Sequence, residues 1–293
     1  MEKRALLLAL TLTLSIGITI VPGAQANSSF SFSTGSPDGK IATASRPSGV
    51  SIEVETADDF ILTSATTIDH ATFVGLLPTT EPLTSAVQVR IEIYRVFPKD
   101  SVDPPSGNVP TRVNSPSDNA FDQRDSIVVG DLTYTATLLS PSFTAANSVV
   151  NGIHPIPNQF TGGEGPVTGE EVQIDAALSK PFTLPADHYF FVPQVSLSDG
   201  NFLWLSAPKP ITGGTGPFTP DLQTWIRNAD LDPDWLRIGT DITHGGPFNA
   251  VFSLSGTSSV IGVPEFPIPG VLASVIALAA LAGFRWVRDN RGF

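Results

Sequence analysis

The residues of this chain whose types and spacing could do chemistry are its carboxylates. In Asp230-Leu231-Asp232-Pro233-Asp234 every second residue is acidic, and Pro233 biases Asp232 toward an extended backbone, which places three carboxylates on one side. Asp241 falls at the twelfth position counted from Asp230, where a calcium loop carries its last ligand; calcium takes roughly 6 to 8 oxygens. Trp235 occupies the sixth position, where such a loop needs glycine for its sharp turn, so this is not an EF-hand. Two readings stay open: a structural calcium ion on Asp230, Asp232, Asp234 and Asp241, or neutralisation of the cluster by Arg227 and Arg237.

The adjacent acids Asp58-Asp59 and Glu170-Glu171 would point to opposite faces of an extended strand. Neither pair can then supply the acid and the base of a glycosidase, whose two carboxylates sit roughly 5 to 9.5 Å apart around one bond. Such a pair would have to be assembled from distant positions on a loop rim. His70, His154, His188 and His244 are scattered without metal-site spacing on any single element. Zero cysteines exclude disulfides, thiolate metal sites and thiol nucleophiles, and neither a nucleotide-binding glycine loop nor a serine-hydrolase elbow occurs. Among the tryptophans, Trp204 lies in an apolar run and Trp225 on a face assigned to packing. Trp235 is left as the ring to stack on a sugar.

The elements that must position these groups read as strands. Residues 87–94 (VQVRIEIY) alternate, with Val87, Val89, Ile91 and Ile93 on one face. Similar runs cover residues 50–55, 67–77, 126–139, 172–178, 189–197, 202–205 and 248–254, each bounded by Pro, Gly, Asn or Asp. Eight or more short strands without an internal repeat indicate an all-β, antiparallel β-sandwich of jelly-roll type. One short helix is expected over residues 221–228, with Asp221 as N-cap and Leu222, Trp225, Ile226 and Ala229 on one face. Residues 98–125 and 147–169 read as long polar loops and candidate binding rims.

Both ends carry processing signals. Lys3 and Arg4 precede an apolar run over residues 5–21, and Ala24-Gln25-Ala26 follows as a small-x-small site for signal peptidase. Residues 1–26 are thus expected to be a signal peptide and 27–262 the sandwich domain. Residues 271–284 are apolar throughout, with Arg285, Arg288 and Arg291 behind them, which suits a transmembrane helix with a cytoplasmic basic tail. Val263-Pro264-Glu265-Phe266, followed by that span and tail, resembles the PEP-CTERM sorting signal of exported bacterial proteins; Phe266 in place of the family's second proline makes it similar also to the archaeal PEF-CTERM variant. The resemblance covers residues 263–293. It implies processing by an exosortase or an archaeosortase and attachment to the envelope or release into the extracellular matrix. Residues 56–60 and 221–236 resemble segments of exported bacterial domains of no assigned function.

With 16 basic and 28 acidic residues the net charge is -12, which excludes a phosphate-backbone partner and hence nucleic acid. The expectation is an exported, envelope-anchored, non-catalytic surface or extracellular-matrix protein, adhesive or carbohydrate-binding, requiring no cofactor beyond an optional calcium ion. The alternative is a secreted polysaccharide hydrolase using loop-rim carboxylates.

Overall fold

Alternation of aliphatic and polar residues builds the two layers of this molecule. A computed structural model describes residues 26–49, 52–78, 81–101, 110–153, 160–229 and 232–260. The signal-peptide residue Ala24, the sorting residues Val263, Pro264, Glu265 and Phe266, the C-terminal apolar span and His154 lie outside them, while Ala26 opens the first strand. Among the described residues no helix is long and apolar enough to cross a membrane.

In chain order the strands are β1 (Ala26–Ser33), β2 (Ile41–Ala44), β3 (Val54–Leu62), β4 (Thr66–Leu77), β5 (Ala86–Arg95), β6 (Asp122–Asp125), β7 (Thr133–Ala145) and β8 (Asn147–Val149). They continue as β9 (Val167–Leu184), β10 (Asp187–Leu197), β11 (Leu203–Ala207), β12 (Trp225–Asn228), β13 (Asp232–Arg237), β14 (Asn249–Ala250) and β15 (Phe252–Val260). One sheet has six strands in the order β13-β12-β3-β10-β5-β6. The other has nine, running β1-β15-β4-β11-β2-β8, with β9 beside β4 and β7 beside β9. The described pairs are antiparallel except β2 with β8.

The inner faces meet in one core. Val89, Ile91 and Ile93 of β5 and Phe60 and Phe191 of the smaller sheet are buried with Phe73, Ile174, Trp204 and Phe252 of the larger one. Phe191 stacks on Phe252 with ring centroids 5.0 Å apart, and the Trp204 indole N–H donates to the Val251 carbonyl at 2.7 Å. Truncating such a ring costs about 3–5 kcal/mol. Val87, the fourth aliphatic of the β5 pattern, is 54% exposed because a register shift between Ser196↔Gln88 and Leu197↔Ala86 breaks the alternation there and puts Ala86 into the core in its place.

A second cluster joins Ala42, Ala44, Val74, Leu205, Ile226 and Ile238, and a third, smaller one lies on the outer face of the six-stranded sheet, where Tyr94, Phe190, Val192, Trp225 and Trp235 pack with Val96 and Ala120 of the segment following β5. This sheet is therefore dry on both sides, which explains the almost unbroken burial of β10.

The helix expected over residues 221–228 does not form. Residues 221–224 have no regular structure and Trp225–Asn228 is a strand between β3 and β13. Asp221 caps nothing; its carboxylate pairs with Lys209. A stretch whose apolar residues fit either period was settled by its neighbours, since Trp225 and Arg227 face outward opposite Ala57 and Glu55. The expected strand at residues 50–55 is displaced to β3, and residues 126–132 form the turn before β7 rather than its start.

Candidate functional site

Among the described residues, three places hold the buried or cleft-lining acids that bear on a site. The first is the covered outer face of the six-stranded sheet. Cross-strand register sets Arg227 of β12 opposite Glu55 of β3, and the two form a buried ion pair. The Tyr94 hydroxyl lies 2.8 Å from Glu55 Oε1 and 3.0 Å from Glu92 Oε2, and Arg227 donates to the same hydroxyl at 3.0 Å. Burial, then the neighbouring Glu55 charge, pushes the Glu92 carboxyl up to about 9, so it is protonated at neutral pH and hydrogen-bonds Glu55. Burial disfavours the Arg227 charge, yet Glu55 and Tyr94 outweigh it and raise that group. Farther along the same face, Arg90 bonds Asp125 at 2.9 Å and Glu53 at 3.2 Å.

The second place is β3 itself. As the alternation requires, Asp58 and Asp59 diverge. Asp58, 1% exposed, points between the sheets, where its Oδ2 accepts the Ala250 N–H at 2.8 Å and its Oδ1 lies 3.3 Å from the Thr224 hydroxyl. Burial, then the charge of Asp59, holds its carboxyl well above the usual range against the pull of the Ala250 N–H. Asp59 faces the other way, 2.7 Å from His188 Nε2, and accepts the Leu222 N–H at 3.0 Å. Burial raises it too, opposed by the hydrogen bond and charge of His188.

The third place is a cleft of about 360 Å³ lined by Thr111, Asn114, Lys209, Asp221, Trp225 and Arg237 among others. Its charges are matched. Lys209 pairs with Asp221 at 2.9 Å and also donates to the carbonyls of Asp221 and Leu222. Arg237 grips Asp241 through Nη2–Oδ1 at 2.6 Å and Nε–Oδ2 at 3.0 Å. Of the cleft's lining residues only Asp221 is a carboxylate, so the acid and base that glycoside hydrolysis requires do not face one another across it.

Several expected site residues have other duties. Asp241 is not available to a cation: besides the Arg237 side chain, its Oδ2 accepts the Arg237 backbone N–H at 2.8 Å. That tight turn depends on Gly239, where a Cβ would lie 1.9 Å from the Gly246 carbonyl oxygen. Asp230 and the side chains of Asp232 and Asp234 lie outside the described residues; the backbone of the latter two belongs to β13. Among the described residues no cluster of three or more acids or histidines could hold a metal.

Trp235 is not an exposed platform. It is 0% exposed, edge-on to Tyr94, with the Arg227 guanidinium 4.5 Å from its ring centroid and its N–H bonded to the Ser117 carbonyl at 2.9 Å. The residues following β5, expected to be an open rim, account for this because they lie over the sheet: Asp118 accepts from Arg227 at 3.0 Å through its carbonyl. His70 lies 3.8 Å from Asp175, and His244 packs on Phe160.

Sequence reasoning missed the Glu55-Glu92-Tyr94-Arg227 network. The one signal was that Arg90, Glu92 and Tyr94 share the polar face of β5, which reads as solvated until something covers it. No protein-family model, no curated protein and no solved structure matches this chain.

Proposed function

We propose that the chain is an exported, envelope-attached, non-catalytic β-sandwich of jelly-roll type that serves as a surface or extracellular-matrix protein, with adhesive contact to polysaccharide as its work. The observation that carries this reading is where the perturbed acids sit. Asp58, Asp59 and Glu92, whose carboxyls burial holds protonated more tightly than usual, are 1–6% exposed and bonded to the fold's own N–H, hydroxyl and imidazole groups. A hydrolase would aim one of them into a cleft. The cleft beside Asp221 instead offers amide and hydroxyl groups and neutralised charges, which suits uncharged sugar hydroxyls.

Export and attachment rest on the apolar stretches at residues 5–21 and 271–284, on Ala24-Gln25-Ala26, and on Val263-Pro264-Glu265-Phe266 with its resemblance to a sorting signal. Signal peptidase and an exosortase or archaeosortase are the partners this implies. The test is fractionation of cells carrying either the full chain or a chain ending at Ser259. The full chain is expected with the envelope and the shortened one in the medium or periplasm. Equal attachment of both overturns the sorting role of the tail.

A further inference from the structure

One strand edge is built unlike the others. β7 has β9 as its sole strand partner among the described residues, so its second edge meets no strand. From Thr133↔Ala177 to Leu138↔Val172 its register is unbroken; shifts follow only at Ser140 and Phe143, around Pro141. This first half is therefore a regular ribbon of six residues, TYTATL, with high strand propensity. Thr133, Thr135, Thr137, Leu138 and Leu139 are exposed, the two leucines at 42% and 48%.

No residue of β7 is charged, in a chain of net charge -12. Proteins commonly protect a free edge with charge, proline or brevity. The other edges here follow that rule. β6 reads Asp-Gln-Arg-Asp, β13 carries Asp232, Pro233, Asp234 and Arg237, and β8 has three residues; β1 is the exception, uncharged and without proline, but it is bridged at its end, Ser33 to Thr215. The first half of β7 has none of these devices.

We propose that residues 133–137 of β7 form a self-association edge, pairing antiparallel with the same stretch of a second copy of this chain and joining two nine-stranded sheets into one. A twofold axis at Thr135 sets Thr133 opposite Thr137 and Tyr134 opposite Ala136, a self-complementary, isologous contact. Charge favours this occupant and this place. The acids of the neighbouring strand β9 that pair with β7, Asp175 and Glu171, would be separated from their symmetry mates by at least three strand spacings, about 14 Å, which exceeds the screening length of about 8 Å. Elsewhere, two strongly acidic surfaces repel. The inference goes beyond the surface-protein reading and holds for an anchored or a released chain alike.

Because the chain contains no cysteine, a single Thr135→Cys variant carries one thiol. Full-length protein in detergent micelles, treated with a short bismaleimide, is expected to give a cross-linked dimer on the order of tenfold faster than Val129→Cys, whose thiol would sit in a fully exposed turn. Adding Thr137→Lys to Thr135→Cys should abolish that advantage while leaving the melting temperature unchanged, since Thr137 is exposed. Cross-linking at position 135 no faster than at position 129 overturns the proposal. So does an advantage that survives Thr137→Lys.

Discussion

The outer face of the six-stranded sheet and the free edge of β7 exchange the roles their sequences suggest. The first carries Glu55, Asp59, Glu92, Arg227 and Tyr94 and is buried; the second carries threonines, leucines and alanine and is wet. Polarity did not decide which became dry. Coverage did: the segment following β5 folds back over its own sheet, bringing Ser117 and Asp118 onto Trp235 and Arg227, whereas among the described residues no strand lies on the second edge of β7. Charges sealed in this way must be satisfied by one another, and they stay because removing any single partner strands the rest. An uncharged edge left in water carries no such internal penalty and remains free to pair.

The largest effect that could break this contrast is removal of the cation at the centre of the covered face. Arg227→Met leaves Glu55 buried beside Glu92 without its guanidinium partner, and a cost of about 3–5 kcal/mol is expected in denaturant unfolding. Pairing it with Glu55→Met should recover most of that loss, since a matched apolar pair avoids the stranded charge. A single substitution that changes stability by less than about 1 kcal/mol would mean the face is more hydrated than its burial implies. At the small end, Leu139→Ser on β7 should leave the unfolding free energy of the isolated copy within about 0.5 kcal/mol, because the residue is 48% exposed and its edge is unpaired. A large loss there would show that β7 is already covered.

The β5, β10 and β11 strands could be read from the chain because their alternation or apolar run coincides with burial on at least one side. β3 was harder, since Asp58 and Asp59 interrupt its centre like turn residues, and only the Ala250, Thr224 and His188 contacts explain their tolerance. β12 was lost to a helix reading because Leu222, Trp225 and Ile226 satisfy the helical period, while the decisive pairing with residues 54–57 is remote in sequence. Of the candidate site, the divergence of Asp58 and Asp59 was legible from spacing; the pairing of Arg237 with Asp241, which the spacing offers to a calcium ion, was not. The burial of Trp235 was not, because it depends on a segment more than a hundred residues earlier in the chain.

The central claim, that the perturbed carboxyls are structural parts of a sealed interior, is tested most directly by the pH dependence of unfolding in wild type and Glu92→Gln. Folded Glu92 holds its proton up to about 9, whereas its ordinary value is 4.5, so between these limits the native state binds more protons than the unfolded chain. Stability must then fall as pH rises, by at most about 1.4 kcal/mol per pH unit for one group. The side-chain amide introduced by Glu92→Gln can still donate to Glu55 but cannot ionise. Wild type is expected to lose stability steadily from pH 5 to pH 9, and Glu92→Gln to be flatter over the same range, keeping the residual slope from Asp58 and Asp59, which has the same sign. Parallel curves for the two proteins, or a wild-type stability that rises with pH over that interval, would contradict the claim.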